Sequence, residues 1–273
     1  MACRCFHNNT RFNAFGAQLL TLPAIFKNKY FIIPDYQRGY AWDEKQVQDL
    51  LQDINHLLDD GISQKHYTGT LVLSRIDNNS DFHVVDGQQR LTTLTIVIRG
   101  ISEHLTGEKK SEIEELYLRR GVSGSERGVL RLNSDTRRFY ENVIINGNSK
   151  SSEPARLEAH DRLLKAQKVI KKWINKRTAE KTKILDILKT VETELGFIVF
   201  APEEDSETGV MFEVINNRGK DLSELEKIKN YLIYCSVKLN AETLRDDIDA
   251  EWSVILRNLH SAKKTTDADE NAF

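Results

Sequence analysis

The 273-residue sequence predicts an α+β protein, a small sheet with packed helices, extended by a mainly helical insertion and a C-terminal helical layer. Three observations carry this reading. Asp43 to Asp60 repeats apolar residues at helical spacing, Tyr67 to Ser74 and Phe82 to Val85 read as a strand pair, and strand character returns at Gly196 to Ala201 after a long helical interval.

The elements follow in order. Asp43 and Gln46 have capping-box spacing, and Val47, Leu50, Leu51, Ile54, Leu57 and Leu58 then lie on one helical face until Gly61. That face needs a sheet to cover. The two strands that supply it are separated by the turn-rich Asp77-Asn78-Asn79-Ser80. Leu91 to Leu105 is a largely apolar helix with Gly107 near its end. From Ser111 the pattern changes: Gly121 to Gly128 and Asn146 to Ser152 read as loops, and Thr136 to Ile145 and Ala155 to Lys176 as helices. The late strand is expected to rejoin the first sheet, with Ser223 to Lys238 and Thr243 to His260 as the closing helices. This divides the chain into 1–110, the first part of a sheet lobe; 111–190, the helical insertion; and 191–273, the return strand and helical layer that complete the lobe.

The stretch most informative for chemistry is Val84-Val85-Asp86-Gly87-Gln88-Gln89-Arg90-Leu91-Thr92-Thr93-Leu94, a strand that turns at Asp-Gly and opens through three polar residues into a helix. Such a junction favours an anion. Gly87 permits a tight turn, the first N–H groups of the helix lack intrahelical partners, and Arg90 adds a planar cationic fork. Gln88 and Gln89 can orient a water or bond a phosphate oxygen, and Asp86 is a candidate Mg²⁺ ligand. An ordinary strand-to-helix turn with Arg90 paired to Asp86 would use the same residues.

Two further segments bear on that choice. Phe31 to Trp42 sets Tyr36, Gln37, Arg38, Gly39, Tyr40 and Trp42 in one loop before the first long helix; anchoring explains the rings better than it explains Gln37 and Arg38. Met211 to Ser223 runs from a helical turn into Asn216-Asn217-Arg218-Gly219-Lys220. Gly219 as a helix end and Ser223 with Glu226 as a capping box make this a helix connector, which leaves Asn216, Asn217, Arg218 and Lys220 unexplained.

The series Ile-Pro-x-Tyr-Gln-Arg-x-Tyr-x-Trp, Tyr-x-Gly-x-Leu (Tyr67 to Leu71), Asp-Gly-Gln-Gln-Arg-Leu-Thr-Thr-Leu and Phe-Glu-x-Ile-Asn-x-Arg-Gly-x-x-Leu closely resembles the N-terminal domain of the GmrSD-type restriction endonucleases, within a superfamily shared with ParB and sulfiredoxin. The resemblance runs from about Leu19 to Leu259 and implies a ParB/sulfiredoxin-like fold. It also implies an NTP-binding and hydrolysing module, acting with Mg²⁺ in bacterial anti-phage defence and controlling a nuclease that attacks modified DNA. Carried over residue by residue, it puts catalysis on Asp86, Gln88, Gln89 and Arg90, with Gly87, Gln37, Arg38, Asn216 and Arg218 at the nucleotide. Tyr36, Gln37 and Arg38 would sense phosphate or modified DNA. Full-length relatives continue into an HNH-type nuclease, whereas this sequence ends at Asp269-Glu270-Asn271-Ala272-Phe273, so DNA cleavage is not assigned to these residues.

Composition agrees with a soluble intracellular protein, expected in the cytoplasm. With 40% hydrophobic and 29% charged residues there is material for a core and no ground for wholesale disorder. No apolar run reaches membrane-spanning length, and the N-terminus lacks a signal peptide's apolar core. Cys3, Cys5 and Cys235 make no disulfide framework, and Cys3, Cys5 and His7 lack a second half for zinc, so no structural zinc is expected. A net charge of -2 excludes bulk attraction to nucleic acid but not a local site. Arg119, Arg120, Arg127, Arg131, Arg137 and Arg138 cluster, as do Lys165, Lys168, Lys171, Lys172, Lys176 and Arg177; either group suits a DNA backbone or a solvated helix face.

Three functional classes follow: an NTPase; a modified-DNA sensor with nucleotide as a switch ligand; and a structural adaptor for a separate nuclease subunit. Retention of the motif residues favours the first.

Overall fold

The computed structural model describes residues 19–60, 65–76, 80–122, 124–148, 154–201 and 242–262. Its sheet grows from a hairpin, β3 (His66–Ile76) antiparallel to β4 (Asp81–Asp86), the strand pair expected from the sequence. On one side β3 takes the parallel return strand β8 (Leu195–Phe200), which pairs antiparallel with the short β1 (Leu20–Thr21). On the other side β4 pairs in parallel with β2 (Tyr30–Ile32), and β2 with β7 (Leu130–Arg131). The order is β1-β8-β3-β4-β2-β7, mixed in direction, with helices between most strands. The fold is α+β, and the late strand does rejoin the first sheet.

Helices pack against the face that carries Phe31, Leu71, Leu73, Phe82 and Val84. They are α1 (Leu22–Phe26), α2 (Glu44–Asp60), α3 (Gln88–Ser102), α4 (Gly107–Tyr117), α6 (Glu158–Ala179) and α7 (Ile184–Thr193). The start of α2 is the predicted capping box: Asp43 Oδ1 accepts from Lys45 N at 2.8 Å and Gln46 N at 3.4 Å, and Gln46 Oε1 accepts from Asp43 N at 2.9 Å. Val47, Leu50, Leu51 and Ile54 are buried on its inner face. Asp43→Ala should cost about 1 kcal/mol, read as a lower urea midpoint at unchanged m; an unshifted midpoint would show that packing alone holds this helix end.

At the centre lies α3, buried on every face, so its polar residues need partners inside the protein. Thr93 Oγ1 shares a 2.8 Å hydrogen bond with Tyr40 OH, Thr95 Oγ1 one of 2.7 Å with Tyr140 OH, and Ser102 Oγ donates to Arg99 O at 2.9 Å. Burial holds both tyrosine hydroxyls well above the usual phenol range.

Several expectations shift. The central helix starts at Gln88 rather than Leu91, because Gly87 (φ 89°, ψ 8°) ends the strand and begins the helix in one residue. Phe31 and Ile32 belong to a strand rather than to the following loop; Phe31 is fully buried, its ring 5.1 Å from Phe26 and 6.4 Å from Phe82. Helices α4 and α7 were not anticipated. The expected loop between Gly121 and Gly128 ends in a small ladder of β5 (Arg119–Arg120) with β6 (Arg127–Gly128). The expected helix Thr136 to Ile145 is α5 (Ser134–Phe139) running into a π-helical turn, Tyr140–Ile145. A last helix, α8 (Glu242–Ser261), matches the expected Thr243 to His260. Cys3, Cys5, His7, the 211–223 motif with Asn216, Arg218 and Gly219, the helix Ser223 to Lys238 and Cys235 lie outside the described residues. Among the described residues no helix is long and apolar enough to cross a membrane.

Candidate functional site

Two of the sequence motifs meet at the start of α3. The 33–43 loop lies across its first turn and is fastened there by glutamine amides. Gln37 Nε2 donates to Val85 O at 2.7 Å, and Gln37 Oε1 accepts from Gln88 Nε2 at 3.2 Å. Gln89 uses both ends of its amide: Oε1 accepts from Ala41 N at 2.8 Å and Nε2 donates to Gly39 O at 3.1 Å. The far side of the loop is held by Asn133 Nδ2 on Gln37 O (2.8 Å), Arg162 Nη1 on Ala41 O (2.6 Å) and Asp35 Oδ1 accepting from Ser134 N (2.7 Å). Asn133 and Arg162 carried no sequence signal for this duty, since neither lies in a motif.

Gln37, Gln88 and Gln89 are thus engaged in hydrogen bonds that position the loop. With Arg38, Asn133 and Thr136, Gln88 and Gln89 line a space of only about 10 Å³, enough for at most one water. A phosphate does not fit there. In Gln89→Ala, Ala41 N and Gly39 O lose their partner, at a cost of about 1–3 kcal/mol. The expected result is a lower denaturant midpoint with faster hydrogen exchange at Ala41, and wild-type exchange would mean that the amide is dispensable.

Arg90 stands apart. Its side chain crosses to β3, so that a Cβ built on Gly69 (φ +143°) would lie 2.4 Å from Arg90 Nη1. Its Cζ is 6.0 Å from the centre of the Trp42 ring. Desolvation pulls its pKa below the usual guanidinium value, and the negative charge of Asp86 acts in the opposite direction, with smaller contributions from Tyr67 and Asp53. Among the described residues Arg90 makes no hydrogen bond or ion pair, so the turn reading in which it pairs with Asp86 is not what the fold adopts. Beside it, Tyr67 is exposed and its hydroxyl is 2.9 Å from Thr70 Oγ1. The Tyr67 to Leu71 motif therefore faces Arg90, which the chain order alone did not show.

The helix end adds to this charge. Leu91 N donates to Gly87 O at 3.0 Å, the first helical bond, and among the described residues nothing accepts from the N–H groups of Gln88, Gln89 and Arg90. Gly87 offers no capping side chain. An α-helix of this length thus presents uncapped donors and the positive end of its dipole next to an unpaired guanidinium. Arg38 is half-buried on the loop and likewise makes no hydrogen bond or ion pair among the described residues. Tyr36 is half-buried within the turn closed by Gln37 N on Pro34 O at 2.9 Å. Asp86 ends β4, half-buried, as the carboxylate whose charge acts on Arg90.

Residues 22–233 match the family model described as GmrSD restriction endonuclease, N-terminal domain. No curated protein matches the chain.

Proposed function

The chain belongs to the GmrSD restriction endonuclease N-terminal domain family, and on that premise we propose that it binds and hydrolyses a nucleoside triphosphate to control a nuclease directed at modified DNA, in the cytoplasm. The single observation behind this reading is the pairing of uncapped N–H groups at the start of α3 with an Arg90 that has no carboxylate partner among the described residues. Burying a guanidinium without a direct ion pair is costly, and a phosphate would supply at contact distance the charge that Asp86 gives only from further off.

Each group then has a task. Arg90 clamps phosphate oxygens with its fork while the helix N–H groups bind the same oxygens from the backbone. Phosphoryl transfer asks mainly for such positioning and charge. Gly69 and Gly87 leave room for the guanidinium and the turn. Gln37, Gln88 and Gln89 act as positioning residues that carry Arg38 and Tyr36, which would read the DNA. Asp86 would take the proton of an attacking water. Mg²⁺ would be held by Asp86 together with the triphosphate, where it would neutralise charge on the phosphates.

The test is phosphate release from each NTP with Mg²⁺, with thermal stabilisation by nucleotide followed in the same samples. Turnover together with stabilisation supports the proposal. Stabilisation without turnover would favour the sensor reading, in which nucleotide is only a switch ligand. Neither effect, with and without modified duplex, would overturn both.

A further inference from the structure

The arginine cluster read from the sequence is divided by the fold into used and unused members. Arg120 donates to Phe26 O, Lys29 O and Leu116 O at 3.3, 3.3 and 3.1 Å and lies over the Tyr30 ring. Arg127 makes a two-pronged pair with Asp81 at 3.1 and 2.5 Å and also lies over the Tyr30 ring. Arg119 donates to Asn146 Oδ1 at 2.8 Å and sits 3.9 Å from Glu126. The side chains of Arg131 and Arg137 make no hydrogen bond or ion pair among the described residues, and Arg131 Nε is buried with no acceptor.

Both unused guanidiniums line one open cleft of about 390 Å³, shared with Arg119 and Arg127, in which four arginines face two carboxylates, Glu126 and Glu141. With Arg119 set against Glu126 and Arg127 against Asp81, the cleft keeps Arg131 and Arg137 against Glu141, a net positive charge. Planar forks of this kind match phosphate oxygens.

We infer that this cleft, separate from the α3 site, binds the phosphodiester backbone of DNA. A free nucleotide would need a wall for its base. The ring in the cleft, Tyr140, is 1% exposed and its hydroxyl is bonded to Thr95, so it offers no stacking face. A backbone phosphate needs no such wall and reaches an open cleft from a strand passing outside. The cleft also adjoins the loop at the nucleotide site: Arg137 lies on α5, whose first residue Ser134 donates to Asp35 Oδ1, while the neighbouring Thr136 lines the space with Arg38. A strand seated here would press on the element that holds Tyr36, Gln37 and Arg38. The inference takes its DNA partner from the proposed function but not the nucleotide chemistry.

The experiment is fluorescence anisotropy of a short unmodified duplex against wild type, Arg131→Ala/Arg137→Ala and Arg137→Glu, across a salt series, with pyrophosphate as competitor. Each arginine that neutralises a phosphate contributes roughly tenfold in affinity near 0.1 M salt and about one to the slope of log K against log salt. The double variant should bind roughly a hundredfold more weakly, with a slope smaller by about two. Nucleotide-induced stabilisation should remain intact in it and disappear in Arg90→Ala, which separates failure at one site from failure at the other. Arg137 is exposed, so Arg137→Glu folds even if the double variant does not, and it should lose at least tenfold. Unchanged affinity and slope in a folded variant would overturn the inference. So would wild-type binding of pyrophosphate at the cleft without binding of the duplex, which would make it a site for free anions.

Discussion

Arg90→Ala should cut NTP turnover by about 10²–10³-fold and remove nucleotide-induced stabilisation, while leaving the unliganded protein close to wild-type stability. The two halves of this expectation have different origins. Turnover falls because charge developing on a transferred phosphoryl group would lose the guanidinium fork of the residue in the first turn of α3. Stability holds because Arg90 has no ion pair among the described residues to lose, and its burial disfavours the charged form. What truncation removes is a distant cation–π contact with Trp42, worth about 0.5–1 kcal/mol. Arg90→Lys keeps a charge but not a fork and should rescue little. Phosphate release and melting curves with and without saturating nucleotide check all of this. A variant that melts early but, when folded, still turns over nucleotide would make Arg90 a packing residue.

Gly87→Ala should destabilise the protein by about 2–4 kcal/mol, the sum of backbone strain and overpacking. Both terms arise at one atom. With φ at 89° an alanine there adopts a conformation that side chains disfavour. Its Cβ would stand 2.4 Å from Leu71 Cδ2 and 2.9 Å from Thr70 O, and the second contact is backbone of the central strand, which cannot give way. Relief would push the start of α3 away from β3 and carry Arg90 from Gly69, so nucleotide binding should weaken along with stability. Denaturant unfolding measures the first effect and nucleotide-dependent melting the second. A loss below about 1 kcal/mol would mean that the turn can relax, since strain alone is worth at least that.

Legibility in the sequence followed the range of the interactions involved. The capping box at Asp43, the β3–β4 hairpin and the amphipathic face of α2 depend on residues a few positions apart, and each stands as read. Strand β2 did not show itself, because three residues are too few to display an alternation and Phe31 is buried by partners from α1 and β4. The π-helical turn at Tyr140–Ile145 was hidden for a related reason: its apolar residues have the spacing of an ordinary α-helix. At the site, the residue types of both motifs were visible, but their partners were not. An amide in a polar motif looks the same whether it meets a phosphate or a backbone carbonyl, and Gln89 meets the carbonyl of Gly39, fifty positions away.

By itself the sequence determined the α+β class and the strand-turn-helix at Asp86 to Leu94, because periodicity, turn chemistry and local spacing are properties of neighbours along the chain. Only the tertiary structure decided which polar groups are spent and which stay open. It closed Gln37, Gln88 and Gln89 into the loop, brought Gly69 beneath Arg90, and separated Arg131 and Arg137 from arginines already paired. The physical reason is that a charge or an amide is silenced by whatever lies within hydrogen-bonding distance, and across a sheet or between helices that distance bears no relation to separation in the chain.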